Sequence, residues 1–270
     1  MRHVNEDASL AAQQAWLSEE LVGKGGLVTG LTLVATTGST NADLRQAALA
    51  GAEAGTVLVS GHQSSGRGRL DRVWEAPPDS SVAVSMVLRP HREVAGWSWI
   101  PLLTSAAVAG GLINAARVDA TVKWPNDVLV GERKICGILS EYVETPIGAA
   151  CVVGFGINLT MTEDQLPVPT ATSLSIAGAG DVSRLVLLAA VFRRLEQLYT
   201  VWEDGDDDVV LEAYLRRCST LGRHVQVTMS AGSALTGIAE SLDASGRLIV
   251  RTPTGPVAVA AGDVVHATPR

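Results

Sequence analysis

Three arginines and two glycines fall within Gly66-Arg67-Gly68-Arg69-Leu70-Asp71-Arg72, preceded by Gln63-Ser64-Ser65 and followed by Val73-Trp74. Glycine lets backbone approach a ligand and close over it, and a guanidinium offers paired planar donors to a carboxylate or phosphate. Between two predicted strands, this spacing fits an anion-clamping lid. On spacing alone, a surface loop with solvated arginines fits equally well. An RNA-binding Arg/Gly segment is a third reading, opposed by its shortness and by a net charge of −7.

A second cluster is Lys123-Trp124-Pro125-Asn126-Asp127, with Lys134 close behind. Pro125 drives Trp124 toward an extended conformation, so Asn126 and Asp127 stand at a strand edge or turn. Asn126 could read a base edge or phosphate, and Asp127 could position Mg²⁺. An Asn-Asp turn satisfied by its own backbone explains the same residues. Lys134 opens the strand-like run Ile135–Val143, where a lysine is ordinarily a solvated end. It gains chemical meaning only where that end faces the arginine loop.

Other chemistries find no support. There is no Gly-x4-Gly-Lys-Ser/Thr, and Gly66-x-Gly68 and Gly154-x-Gly156 each lack the third glycine of a dinucleotide fingerprint. No Gly-x-Ser-x-Gly elbow occurs. The histidines at 3, 62, 91, 224 and 266 show no ligand spacing, and the three cysteines (Cys136, Cys151, Cys218) form no Cys-x-x-Cys. That cysteine usage fits a reducing cytoplasm.

These residues need a scaffold, and 270 residues at 47% hydrophobic content can build one large core and a small appendage. Helices are expected over 7–22, from Asn41 to Ala50 behind Ser39 and Thr40, near 98–117, from Ser183 to Trp202, and over 208–217. Strands are expected at Thr56–Ser60, at Val82–Leu88 with one strongly apolar face, and at Val128–Val130, Ile135–Val143 and Ala150–Leu159. Val94 to Ala116 carries no charge and is long enough to span a bilayer. Its proline, glycines, hydroxyls and alanines favour a buried core helix instead. From Arg223 onward, short strand-like runs (Val225–Met229, Leu235–Glu240, Leu248–Arg251, Val257–Ala260) suggest a small barrel-like module.

Five segments occur together in one order: Gly38-Ser39-Thr40-Asn41, Gln63 with Gly66-Arg67-Gly68-Arg69, Lys123 to Asp127, Lys134 with Gly137-Ile138-Leu139-Ser140-Glu141, and Gly154-Phe155-Gly156-Ile157-Asn158-Leu159. With Ala261-Gly262-Asp263-Val264 at the C-terminus, the series resembles the biotin–protein ligases over about residues 33 to 265. The resemblance implies an α+β fold, a mixed β-sheet with packed helices related to class II aminoacyl-tRNA synthetase catalytic domains, plus a C-terminal SH3-like β-barrel. It divides the chain into an N-terminal helical segment (1–32), a catalytic domain (33–221) and the barrel (222–270). It implies activation of biotin by MgATP to biotinyl-5′-AMP, then transfer to a lysine of the biotin carboxyl carrier domain of a carboxylase.

The same resemblance implies roles. Ser39, Thr40, Asn41 and Gln63 surround the ureido end of biotin, with Gly66, Arg67, Gly68, Arg69, Lys134 and Gly137 completing the biotin site. Arg69, Arg72, Trp74, Lys123, Asn126, Lys134 and Asn158 fall to ATP, and Asp127 to Mg²⁺. Lys134 and Arg69 are the expected catalytic cations. The chain departs from the family at Asp71, where the loop usually has a third glycine. The 162–173 segment, expected to fold over adenine, has no aromatic residue, so its cover would be aliphatic. About 32 residues precede the match, too few for a winged helix-turn-helix, so no nucleic-acid or membrane partner is expected; the resemblance assigns no oligomeric state. Two alternatives are a lipoate or octanoate ligase or transferase of the sister fold, and a non-catalytic biotin- or nucleotide-binding regulator.

Overall fold

Ser9 caps the first helix, its side chain accepting from the Ala12 N–H, and α1 runs Leu10–Leu21, three residues shorter at its start than its apolar pattern suggests. In the computed structural model, residues 8–23, 25–69, 72–229 and 233–266 are described. The chain continues through β1 (Gly30–Thr37), α2 (Thr40–Leu49), β2 (Thr56–Gln63), β3 (Gly66–Arg67), β4 (Val73–Trp74) and β5 (Ser81–Leu88). Then come α3 (Trp99–Gly111), β6 (Ala120–Lys123), β7 (Asp127–Val130), β8 (Arg133–Val143), β9 (Ala150–Asn158), α4 (Arg184–Glu203) and α5 (Asp207–Leu215). The last strands are β10 (His224–Thr228), β11 (Ala234–Leu242), β12 (Leu248–Thr252), β13 (Gly255–Val259) and β14 (Asp263–His266).

Seven strands form one mixed sheet in the order β1-β2-β5-β9-β8-β7-β6, with β1 and β2 parallel and the other neighbours antiparallel. Val82, Val84, Met86 and Leu88 pack with α3 and α4 into the main core, while Val87 joins Leu44 and Ala48 of α2 on the other face. Every residue of β5 is therefore buried, not one face of it. Alternation with small residues suggested a one-sided strand because Ala83 and Ser85 occupy the face that α2 and the site cover.

The uncharged stretch 94–116 is a core helix: α3 is buried along nearly its whole length and ends in a π turn over Leu112–Ala116. Strand β6, unmarked in the sequence, forms because its Val122 backbone also bonds to Arg217 and Ser219 beyond α5. The C-terminal strands form a five-stranded antiparallel sheet, order β13-β12-β11-β10-β14. Its β11–β12 turn is seated on the catalytic body: Trp99 Nε1 donates to Ala244 O at 2.9 Å and Trp124 Nε1 to Gly246 O at 3.0 Å. Gly246 has φ +72°, and a Cβ there would lie 2.6 Å from Leu102, so this docking turn needs glycine.

Candidate active site

Ser39 leads from β1 into α2, and Thr40 and Asn41 open that helix. Ser39 caps that helix by accepting from Ala42 N–H, so part of its hydroxyl's capacity serves the fold. The Thr40 backbone N–H donates to Gln63 Oε1 at 2.8 Å, and the Thr40 hydroxyl oxygen lies 3.1 Å from the same atom. Asn41 is buried, and its amide is committed: Nδ2 donates to Glu141 Oε2 at 2.8 Å, and Oδ1 accepts from Ser85 Oγ at 2.6 Å. Gly154 on β9 makes the space, since a Cβ there would lie 2.0 Å from Asn41 Oδ1 and 2.7 Å from Ser85 Oγ. Asn41 thus lines the cavity but works as a brace inside the protein.

Lys134 reaches the site through a bulge. Val128 pairs with Cys136 but the next residue, Leu129, pairs with Lys134, leaving Ile135 as the extra residue of β8. A bulge reverses the alternation beyond it, so Lys134 shares a face with Gly137 and Asp127. A Cβ on Gly137 would stand 3.0 Å from Lys134 Nζ, and Nζ itself lies 2.6 Å from Asp127 Oδ1. Lys134 is therefore not a solvated strand end. Its backbone also pairs with Thr170 and Thr172, which ties the 162–173 segment to the same spot.

The Arg/Gly segment is a hairpin, Gly66 paired with Trp74 and Arg67 with Val73; Leu70 and Asp71, including the departure at 71, lie outside the described residues. Gly66 is required by that pairing, because a Cβ would come within 2.4 Å of Trp74 O; it lines the hairpin's outer side and not the main cavity. Trp74 lays its indole on β9, where a Cβ at Gly156 would be 2.7 Å from the ring. Arg69 Nη1 donates to Asn126 Oδ1 at 2.9 Å, and Asn126 Nδ2 donates to Ile138 O at 2.8 Å. Asn126 therefore ties a loop arginine to the backbone of β8. Burial depresses the Arg69 pKa, with Asp127 opposing; burial likewise lowers that of Lys123.

Two adjoining cavities result. The first is lined by Ser39, Thr40, Asn41, Gln63, Arg67, Gly68, Arg69 and Gly137; the second by Lys123, Glu132, Asn158, Val168, Ala171 and His266. Arg72, Trp74, Asn126, Asp127, Lys134 and Asp263 line both. In the second, Trp74 Nε1 and Asn158 Oδ1 are buried without hydrogen-bond partners. The aliphatic 162–173 segment thus faces an aromatic after all, supplied by the hairpin. Asp127 offers one carboxylate, already shared with Lys134, and no group of three His, Cys, Asp or Glu converges among the described residues. That donor set does not fit a resident Mg²⁺.

Sequence reasoning gave no role to Ser85, Glu141, Asp263 or His266. Ser85 is hidden as a serine in the middle of an apolar strand. Glu141 and Asp263 stand in quoted motifs, but only the fold shows Glu141 on Asn41 and Asp263 paired with Arg72 of the hairpin. His266 was counted among scattered histidines, yet it lies 3.3 Å from Thr220 Oγ1 at the junction of core and barrel.

Two family models match the chain: the biotin/lipoate A/B protein ligase family over residues 33–158, and the biotin protein ligase C-terminal domain over 220–267. The Mycobacterium tuberculosis biotin–[acetyl-CoA-carboxylase] ligase is 35% identical over 93% of this chain and 94% of its own length. The chain belongs to the biotin protein ligase family. The Paracoccus denitrificans biotin–[acetyl-CoA-carboxylase] ligase is 29% identical, covering 86% of this chain and 98% of its own. In fold, the chain resembles the biotin protein ligase from Aquifex aeolicus, solved in complex with biotin and ATP, with a TM-score of 0.74, 24% identity, and coverage of 88% of this chain and all of that one. Within this family, the mixed sheet is the catalytic core and the antiparallel strands the C-terminal domain.

Proposed function

We propose that the protein activates biotin with ATP to biotinyl-5′-AMP, releasing pyrophosphate, and passes the biotinyl group to a lysine of a carboxylase's carrier domain. One observation carries this reading: Lys134 lines both of two adjoining cavities, one with an uncharged hydrogen-bonding end at Ser39, Thr40, Asn41 and Gln63, the other walled by charged groups of both signs that include Arg72 and Lys123. The neutral end suits a ureido ring, which asks for directed hydrogen bonds within an apolar body. Gln63 and Thr40 are the groups at that end, and Ser39 and Asn41 keep them in place.

The first step brings a carboxylate oxygen onto the α-phosphorus; the C–O–P bond forms as the bond to pyrophosphate breaks. Both reactants are anions, so fixed cations in a desolvated site reduce their repulsion and stabilise the charge building on the phosphoryl oxygens. Lys134, which lines both cavities, is the cation given this role, with Arg69 of the first cavity as its second. Arg72, Lys123, Asn126 and Asn158 serve the nucleotide side, and the Trp74 indole offers a flat face to a purine. Mg²⁺ would then travel with the triphosphate oxygens and not on a protein cage. In the second step, a neutral lysine amine attacks the biotinyl carbonyl and AMP leaves. The hairpin over the anhydride slows its loss to water until that amine arrives.

Transfer of labelled biotin to a purified carrier domain tests the whole sequence. Label on the carrier lysine, dependent on ATP, is expected. Biotin binding without transfer would indicate a non-catalytic regulator, and labelling by lipoate alone would indicate the sister activity.

A further inference from the structure

Glu141 has no part in the function proposed above, yet its carboxylate touches both Asn41 and Arg67 of the Arg/Gly segment. Its Oε2 accepts from Asn41 Nδ2 at 2.8 Å, and its Oε1 lies 3.6 Å from Arg67 Nη1. Asn41 Oδ1 can only accept, so the single proton of Ser85 goes to it, and Ser85 Oγ lies 2.7 Å from Thr40 Oγ1. The Thr40 backbone N–H in turn donates to Gln63 Oε1, leaving the Thr40 hydroxyl proton for Ser85 Oγ. A continuous polar chain therefore runs Gln63, Thr40, Ser85, Asn41, Glu141, Arg67. It starts on the last residue of β2 and ends on β3, the two strands flanking the turn into the hairpin.

Only the last two members of that chain carry charge. The Arg67 side chain is 51% exposed and that of Glu141 21%, so at 3.6 Å their attraction contributes little to stability. Its consequence is positional. Arg67 is drawn to the neutral end of the cavity while Arg69, two residues on, is held at the other end by Asn126. Two otherwise equivalent guanidiniums are thereby held apart within the first cavity, Arg67 by Glu141 and Arg69 by Asn126, which lines both cavities.

We infer that Glu141 is a positioning residue that holds Arg67 and Asn41 at the ring end, and so sets affinity for biotin separately from affinity for ATP. This rests on the functional reading above. The test is biotin-dependent ATP–pyrophosphate exchange by the full chain, with each substrate varied in turn. Glu141→Ala is expected to raise the KM for biotin about tenfold while leaving the KM for ATP within about twofold. Glu141→Gln retains an acceptor for Asn41 but no charge for Arg67, and a rise of about threefold is expected. Because Glu141 acts through Arg67, adding Glu141→Ala to Arg67→Ala should raise the KM for biotin by less than the product of the single effects.

Equal rises in both KM values, or strictly multiplicative effects in the double variant, would overturn the assignment. Should Glu141→Ala fail to fold, the Gln variant and its cycle with Arg67→Ala decide alone. A wild-type protein without exchange would count against the functional reading; calorimetric titration of the same variants with biotin would still test Glu141.

Discussion

The two ends of the site are built on different principles. At the neutral end, Thr40, Asn41 and Ser85 have all their side-chain polar atoms bonded, inside a wall closed by α2, β5 and β9. At the charged end, two buried polar atoms lack partners, Arg72 reaches across to Asp263 on the barrel, and one wall is a two-residue-paired hairpin. The first is preorganised by the sheet and needs little rearrangement to receive a rigid ring. The second has donors and acceptors still to be satisfied, which suits a polyanion that binds, reacts and leaves in pieces. Glycines serve both: Gly154 admits the Asn41 amide at one end, Gly156 the Trp74 indole at the other.

Lys134 sits where the ends meet, so its loss should affect both. Lys134→Ala is expected to lower exchange by about a thousandfold, the scale on which a positioned charge in a desolvated site acts. Far-UV circular dichroism and melting temperature should be retained, since the side chain supports no core packing; near-full activity would break the scheme.

The two glycines give the sharpest test of the comparison itself. Gly154→Ala pushes a methyl against Asn41 Oδ1, which is tied on both sides, and a rise in biotin KM of about thirtyfold is expected with little change for ATP. Gly156→Ala meets only the ring of Trp74, the movable end of a side chain. A smaller rise of about fivefold, in the KM for ATP, is expected there. Steady-state kinetics on the pair would refute the division if both variants shifted the same substrate.

Asp263→Asn removes the barrel's charge from Arg72. Because that arginine is well exposed, the expected effect is modest, a rise of about threefold in the KM for ATP and none for biotin.

The smallest effect concerns pH. Burial, reinforced by Lys123 and Arg223, pushes the His266 pKa down to about 4 from 6.5. The folded state therefore favours the neutral ring; its contribution is fully present above about pH 6.5 and is lost as pH falls toward 4. Melting temperatures measured between those values should fall less steeply in His266→Gln than in the wild-type protein.

Much of this was legible in the sequence, for identifiable reasons. Caps and stops mark helices strongly: Ser39 caps α2, Ser183, read as the first residue of its helix, stands one residue before it as the cap, and the uncharged 94–116 stretch proved to be core. The motif residues also converge, except that Gly66 serves the hairpin. What the sequence hid was register. Nothing in Lys134-Ile135-Cys136 announces a bulge, yet the bulge turns Lys134 from a strand end into the centre of the site. Ser85 and Glu141 were hidden for a related reason: their meaning lies in contacts across 44 and 100 residues with Asn41. Strand β6 escaped because part of its pairing comes from residues beyond α5.

Two cavities that share Lys134 make a single demand: pyrophosphate release must depend on the molecule filling the uncharged end. Incorporation of labelled pyrophosphate into ATP, measured with biotin, with lipoate and with neither, tests it directly. Exchange with biotin alone, lost in Lys134→Ala, is the expected result; exchange with lipoate and none with biotin would contradict it.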